Sequence, residues 1–202
     1  EAFPQHELVC DAKTMDAGRL ELETAAKAGA TMGTVLGVAS DSTILECVEA
    51  GANYGIKVLV DLLGCPDPVA RAVFAAEAGA DAVNVHCPID EQVRGGDPFD
   101  TLRAVRAAVS IPLTVAGGIT AKTAPQAVTA GADVLIGGGA ITKARDAEAA
   151  ARGILEAMAS GEPGESEMAD RVSSSEGLQR IFSEVSTPNI SDAMHRTACW
   201  YG

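Results

Sequence analysis

The stretch "AAEAGADAVNVHCP", residues 75–88, decides how this chain folds. An Ala-rich helical segment stops at Gly79, where a helix C′ residue takes positive φ at least cost. A short apolar run, Ala82 to Val85, follows and ends in a polar residue, His86. The same unit recurs as "AAKAGATMGTVLGV" at 25–38 and "AVTAGADVLIGGG" at 127–139, with Gly29 and Gly131 at the corresponding place. A weaker copy, "CVEAGANYGIKVLVDLL" at 47–63, puts Gly51 where its helix should end. These units predict strands over 8–12, 32–36, 57–62, 82–86, 112–116 and 133–137. Helices are expected near 17–28, 41–53, 67–78, 97–109, 121–130 and 144–159. The strands read as continuous apolar runs, which is expected of a parallel sheet covered on both faces. Strand and helix alternating at this spacing define an α/β fold with crossover connections.

Polar or Gly-rich residues follow each strand, as in "DAKTMD", "LGVASD", "DLLG", "HCPIDEQ", "AGGIT" and "GGGAIT". No G-x-G-x-x-G follows the first strand, so a dinucleotide-binding sheet is not indicated. Chemistry at the C-terminal end of every strand is the layout of a TIM barrel. A closed barrel has eight β/α units and six are visible here. The expectation is therefore a (β/α)8 TIM barrel lacking its first two β/α units, roughly 60 residues at the usual unit length. Residues 1–159 would form this partial barrel. The polar stretch "SGEPGESEMADRVSSS" (160–175) reads as a linker. Residues 176–202 carry an amphipathic segment and a Thr187-Pro188 helix start, and read as the opening of a second domain.

Charge and composition narrow the partners. Fifteen basic and 28 acidic residues leave a net charge of −13, which disfavours nucleic acid. A small phosphorylated ligand remains compatible, because backbone amides bind phosphate locally. Five scattered cysteines (10, 47, 65, 87 and 199) without a C-x-x-C pattern read as free thiols in a reducing cytoplasm. No apolar run reaches membrane-spanning length.

The residues with chemistry cluster at predicted strand ends. In "CDAKTMD" (10–16), Asp11 and Lys13 lie two apart and share one face of a strand. A carboxylate and an ammonium there suit a divalent cation and a developing oxyanion; a structural ion pair is the plainer alternative. Gly117 and Gly118 in "AGGI", with Gly138 and Gly139 in "GGGAIT", follow the last two strands. Glycine-rich turns at those places of a barrel expose amides that cradle phosphate. His86 is a candidate proton carrier, and Asp61, ending "KVLVD", is either a substrate contact or a structural group.

The D-x-K-x-x-D pattern of Asp11, Lys13 and Asp16 resembles the signature of the orotidine 5′-phosphate decarboxylase suprafamily. Within it, "DAKTMDAG", "GATMGTVLGVASDSTI", "VNVHCPIDEQ", "VAGGI" and "LIGGGAIT" resemble the 3-hexulose-6-phosphate synthases, over residues 1 to about 158. One departure is "HCP" at 86–88, where that family usually has "HTG". The resemblance implies a lyase of the cytoplasm acting as a homodimer with Mg²⁺. It implies the aldol addition of formaldehyde to D-ribulose 5-phosphate, giving D-arabino-3-hexulose 6-phosphate through an enediolate, a step of the ribulose monophosphate pathway of carbohydrate metabolism. Carried over residue by residue, Asp11 would bind Mg²⁺ and Lys13 would stabilise the enediolate oxygen. Asp16 would reach into the partner subunit's site, His86 would move protons, and Gly117, Gly118, Gly138 and Gly139 would hold the phosphate. A further metal ligand and a substrate carboxylate belong to strands expected upstream. The segment "VSTPNISDAMHR" resembles the start of the regulator of ribonuclease activity A family. Two other readings stand beside this one. The sister 3-keto-L-gulonate 6-phosphate decarboxylase shares barrel and metal, but the Arg expected just after the strand-end His is missing from "HCPIDEQ". A non-catalytic barrel serving as scaffold for the second domain is the other.

Overall fold

The computed structural model describes residues 5–92 and 94–166. The expected second domain at 176–202, and the part of the expected linker beyond 166, lie outside the described residues. Six strands alternate with helices: β1 (Val9–Thr14), β2 (Met32–Leu36), β3 (Lys57–Asp61), β4 (Ala82–His86), β5 (Leu113–Ala116) and β6 (Val134–Ile136). The longer helices are α1 (Gly18–Lys27), α2 (Asp41–Tyr54), α3 (Pro68–Ala78), α5 (Phe99–Ala108) and α8 (Ala147–Ser160). Shorter ones are α4 (Ile89–Gln92), α6 (Ala124–Thr129) and α7 (Gly139–Thr142). The chain encodes their starts locally. Ser40, Asp67 and Asp146 accept the backbone N–H three residues on, at the N-termini of α2, α3 and α8. Gly29, Gly79 and Gly131 all have positive φ, as the repeat predicts.

All six strands are parallel and lie in the order β1-β2-β3-β4-β5-β6. A doubly wound sheet reverses direction at a switch point and places helices on both faces. This order never reverses, so crossovers of one hand keep the helices on one side. The main core lies on that side. Val35, Val58, Val60, Val83, Val85, Leu113 and Val115 pack there with Leu22, Ile44, Leu102 and Val105. The opposite face is mixed: Val9, Met32, Leu59, Ala116, Val134 and Ile136 lie on it among polar residues, not all of which the sequence singles out. It carries Thr34, Asp61, Asn84 and Thr114, all buried, and it lines the cavity described below. Among the described residues, β1 and β6 form the two edges of the sheet.

Two local expectations change. α2 does not end at Gly51: it runs through to Tyr54, and Gly55 (φ +69°) is the residue that stops it. Gly51 is required for a different reason. A Cβ there would lie 2.7 Å from the Ile56 carbonyl oxygen and 2.8 Å from Val58 Cγ2, so glycine lets α2 close onto the start of β3. The second change is in β1, which is not a regular strand. Cys10 sits opposite Gly33 and Thr14 opposite Val35, so β1 advances four residues while β2 advances two. The excess forms a bulge that re-aims the strand end.

Gly51→Ala should destabilise the fold by roughly 1–3 kcal/mol through overpacking against backbone. Urea denaturation checks this. A midpoint equal to wild type would contradict the close-approach role.

Candidate active site

The bulge in β1 puts two charges over one buried carboxylate. Among the described residues only Lys13 (φ +49°) and Ala17 (φ +52°) are non-glycine positions with positive φ. Both lie in the segment after Cys10, so backbone strain is concentrated where the charges are. The Lys13 N–H donates to Thr34 Oγ1 at 2.9 Å, which anchors the bulge to β2. Thr34 Oγ1 in turn donates to Asp11 Oδ1 at 3.0 Å. Lys13 Nζ lies 2.8 Å from both oxygens of Asp11 and 3.5 Å from Asp61 Oδ2. Asp11 and Lys13 do share a side of the sheet, but through a bulge and a left-handed lysine rather than strand alternation.

Asp61 is the centre of this arrangement. It is 2% exposed, and donors surround it. His86 Nδ1 lies 3.0 Å from Oδ2, the Leu63 N–H donates to Oδ1 at 3.0 Å, and Asn84 stands beside it in register on β4. Burial pushes the Asp61 carboxyl up. The His86 hydrogen bond and charge, then Leu63 and Asn84, outweigh that and hold it below its ordinary value. An ionised carboxylate only accepts, so Nδ1, the His86 nitrogen facing it, carries a proton, and proton exchange falls to Nε2. For Lys13, burial lowers the pKa, but the Asp11 hydrogen bond and charge, followed by those of Asp61, raise it overall. Lys13 is therefore an ammonium, suited to stabilising negative charge and unsuited to imine formation.

These side chains line a cavity of about 300 Å³ on the helix-free face of the sheet, with Asp11, Lys13, Asp61, Asn84, His86 and Thr114 supplying its polar wall. Asp16 is not among them. It is exposed, accepts the Ala17 N–H, and lines a separate groove of about 460 Å³ with Arg19, Leu20 and Glu46. The glycine turns stand beside one another, because Ala116 pairs with Ile136 at the ends of β5 and β6. Gly117 (φ +95°) is fixed by contact: a Cβ there would fall 2.2 Å from the Cys87 carbonyl oxygen, in the loop after His86. Gly118 has φ +73°, Gly138 faces open space, and Gly139 begins α7.

Among the described residues, no three His, Cys, Asp or Glu side chains converge as a metal cage. Mg²⁺ does not need one, since it is commonly held by one or two carboxylates together with substrate oxygens and water. Asp11, 60% exposed at the cavity rim and presenting hard oxygen donors, fits that mode.

Sequence reasoning missed Thr34, Asn84, Thr114 and Arg71. The first three are neutral polar residues inside apolar runs, in "GTVL", "VNVH" and "LTVA", a weak sign that ordinary strand residues share. Arg71 gave no signal. It donates to the Gly37 and Ala39 carbonyls and pairs with Asp41, fixing the loop after β2, and the Gly37 N–H donates to the Asp61 main-chain oxygen at 2.6 Å.

The fold and site together define a class of protein: a TIM-barrel-like α/β chain whose charged groups gather at the C-terminal ends of its strands. The chain belongs to the orotidine 5′-phosphate decarboxylase / HUMPS family, whose model matches residues 1–154. It is 42% identical over 159 residues to a 3-hexulose-6-phosphate synthase of Mycobacterium gastri, covering 79% of this chain and 77% of that protein. A synthase of the same name from Methylomonas aminofaciens is 41% identical over 150 residues, covering 74% and 72%. Among solved structures, 3-hexulose-6-phosphate synthase from Salmonella typhimurium superposes with a TM-score of 0.75 at 37% identity, covering 80% of this chain and 77% of that one.

The low pKa of Asp61 gives a pH signature. A carboxylate depressed in the folded state adds stability that is present above its unfolded pKa, about 3.9, and lost as pH falls through the lower folded value. Asp61→Asn should thus be less stable than wild type at neutral pH, and the gap should narrow below about pH 4. Urea titrations from pH 2 to 7 read this directly. A gap independent of pH would contradict it.

Proposed function

We propose that this chain catalyses the Mg²⁺-dependent aldol addition of formaldehyde to D-ribulose 5-phosphate, giving D-arabino-3-hexulose 6-phosphate. The observation that carries this reading is Asp61, buried and ionised, joining a protonated Lys13 to His86 in one cavity. The names of the relatives give the product, a 3-hexulose 6-phosphate, and the family resemblance implies the two substrates. The arrangement supplies what an enediolate reaction needs: a base, a fixed cation and room for a small sugar phosphate.

His86 Nε2 takes one C1 proton of the ketose phosphate, and the electron pair of that C–H bond forms the C1–C2 double bond of an enediolate. The imidazolium formed is stabilised by Asp61 at Nδ1. Lys13 faces the negative charge that appears on the enediolate oxygens, an interaction stronger in the transition state than in the ground state. C1 then attacks the formaldehyde carbon. The former carbonyl oxygen of formaldehyde collects the proton from His86 and becomes the new hydroxyl, while C2 returns to a ketone. No proton is gained or lost overall. Asp11 would hold Mg²⁺, which would supply further stabilisation of developing negative charge. The amides of Gly117, Gly118, Gly138 and Gly139 would hold the phosphate, at the strand ends where such barrels bind it. Asp16 is exposed on the groove beside α1; in the homodimer that the resemblance implies, it would reach into the partner subunit's site.

The test is formaldehyde loss in the presence of ribulose 5-phosphate. Loss should require the sugar phosphate, stop with EDTA, and fall in Asp11→Asn by more than the roughly 10–100-fold that loss of an outer-shell partner costs. CO₂ release from 3-keto-L-gulonate 6-phosphate without formaldehyde loss would move the assignment to decarboxylation. Inactivity in both assays, with no stabilisation by Mg²⁺ and sugar phosphate, would favour a scaffold.

A further inference from the structure

Three neighbouring strands place Asp61, Asn84 and Thr114 on one rung of the sheet: Asp61 pairs with Asn84, and Asn84 with Thr114. All three are buried, at 2%, 2% and 5% exposure. The Thr114 hydroxyl donates to Asn84 Oδ1 at 2.7 Å, which leaves the NH₂ end of Asn84 for the Asp61 side of the rung. A carboxamide has an accepting end and a donating end of nearly equal shape, so its orientation must be set by its neighbours. Asp61 accepts only, and a carboxamide oxygen turned toward it would be repelled. Thr114 supplies the donor that selects the productive orientation. Thr114 lies on the cavity face of β5, while the neighbouring Leu113 and Val115 are on the opposite face and pack in the core.

We propose that Thr114 is a positioning residue, whose hydroxyl locks the Asn84 carboxamide with its NH₂ toward Asp61 and so fixes that carboxylate against His86 Nδ1. Thr114 acts through two intermediaries and touches neither the imidazole nor the lysine. Its effect reaches catalysis only through the tautomer and orientation of His86. The catalytic consequence rests on the aldol reading above; the effect on His86 does not.

The isosteric Thr114→Val removes the hydroxyl and keeps the volume, while Thr114→Ser keeps the hydroxyl and removes a methyl. With the 202-residue chain, the imidazole ¹⁵N–¹H spectrum should show a protected Nδ1–H for His86 in wild type and Thr114→Ser. Thr114→Val should lose it to exchange broadening, with its native backbone amide spectrum retained. In the formaldehyde assay, kcat of Thr114→Val should fall roughly tenfold or more, the scale of a misplaced catalytic group, at nearly unchanged KM, and Thr114→Ser should recover it. A His86 Nδ1–H signal unchanged in folded Thr114→Val overturns the proposal. So does equal loss of the signal in Thr114→Ser, which would assign the effect to packing. A wild-type chain inactive toward formaldehyde, with the spectral change present, refutes the aldol reading and leaves the positioning role standing. Should Thr114→Val not fold, Asn84→Leu replaces it. Its apolar side chain of similar size cannot donate to Asp61 and should likewise abolish the protected signal, whose persistence would overturn the proposal.

Discussion

A carboxylate buried at the end of the third strand organises this molecule. An ionised Asp61 without partners would be among the most costly groups a small domain could bury. It is tolerated because donors reach it from several elements: His86 and Asn84 from β4, the Leu63 amide from its own loop, and Lys13 from β1. Each of those donors then has its own geometry dictated. The lysine must leave regular strand conformation to reach across from β1, which explains the bulge and the left-handed backbone. The histidine must present Nδ1, which leaves Nε2 for chemistry. The loop after β2 must bring the Gly37 amide to the Asp61 main chain, and Arg71 braces that loop from α3.

The strand order supplies the other half of the arrangement. Winding in one direction only leaves a sheet face without helices, and that face can be polar without disrupting the core. Residues on it alternate with core aliphatic residues along the same strands: Thr34 with Val35, Asn84 with Val83 and Val85, Thr114 with Leu113 and Val115. Stability and chemistry are thus carried by opposite faces of the same short segments. The family relation, a TM-score of 0.75 to a solved synthase and the charged mouth all agree with this division.

Much of the architecture was legible because the helix-Gly-strand unit is local. Each of Gly29, Gly79 and Gly131 follows a helix and is needed for positive φ, whatever the rest of the chain does. Gly51 looked the same in sequence and was not, because its role comes from the approach of β3, which no local pattern encodes. The candidate site was legible where charge interrupts a hydrophobic strand, at Asp11, Lys13, Asp61 and His86. It was not legible where a neutral polar residue does so, since Asn84 and Thr114 are ordinary strand residues until the register aligns them with Asp61. The bulge in β1 was hidden for the same reason: it depends on how β1 and β2 align, and β1's own residues give no sign of it.

The central claim is that this site removes a proton from C1 of a ketose phosphate, and isotope exchange tests it without the second substrate. Ribulose 5-phosphate would be followed by ¹H NMR in D₂O with the chain and Mg²⁺, in the absence of formaldehyde. The account predicts loss of one C1 proton signal at a rate well above that of buffer, with the other C1 proton retained, and no such loss in His86→Ala. A C1 methylene that stays fully protonated while the sugar phosphate is bound would contradict it.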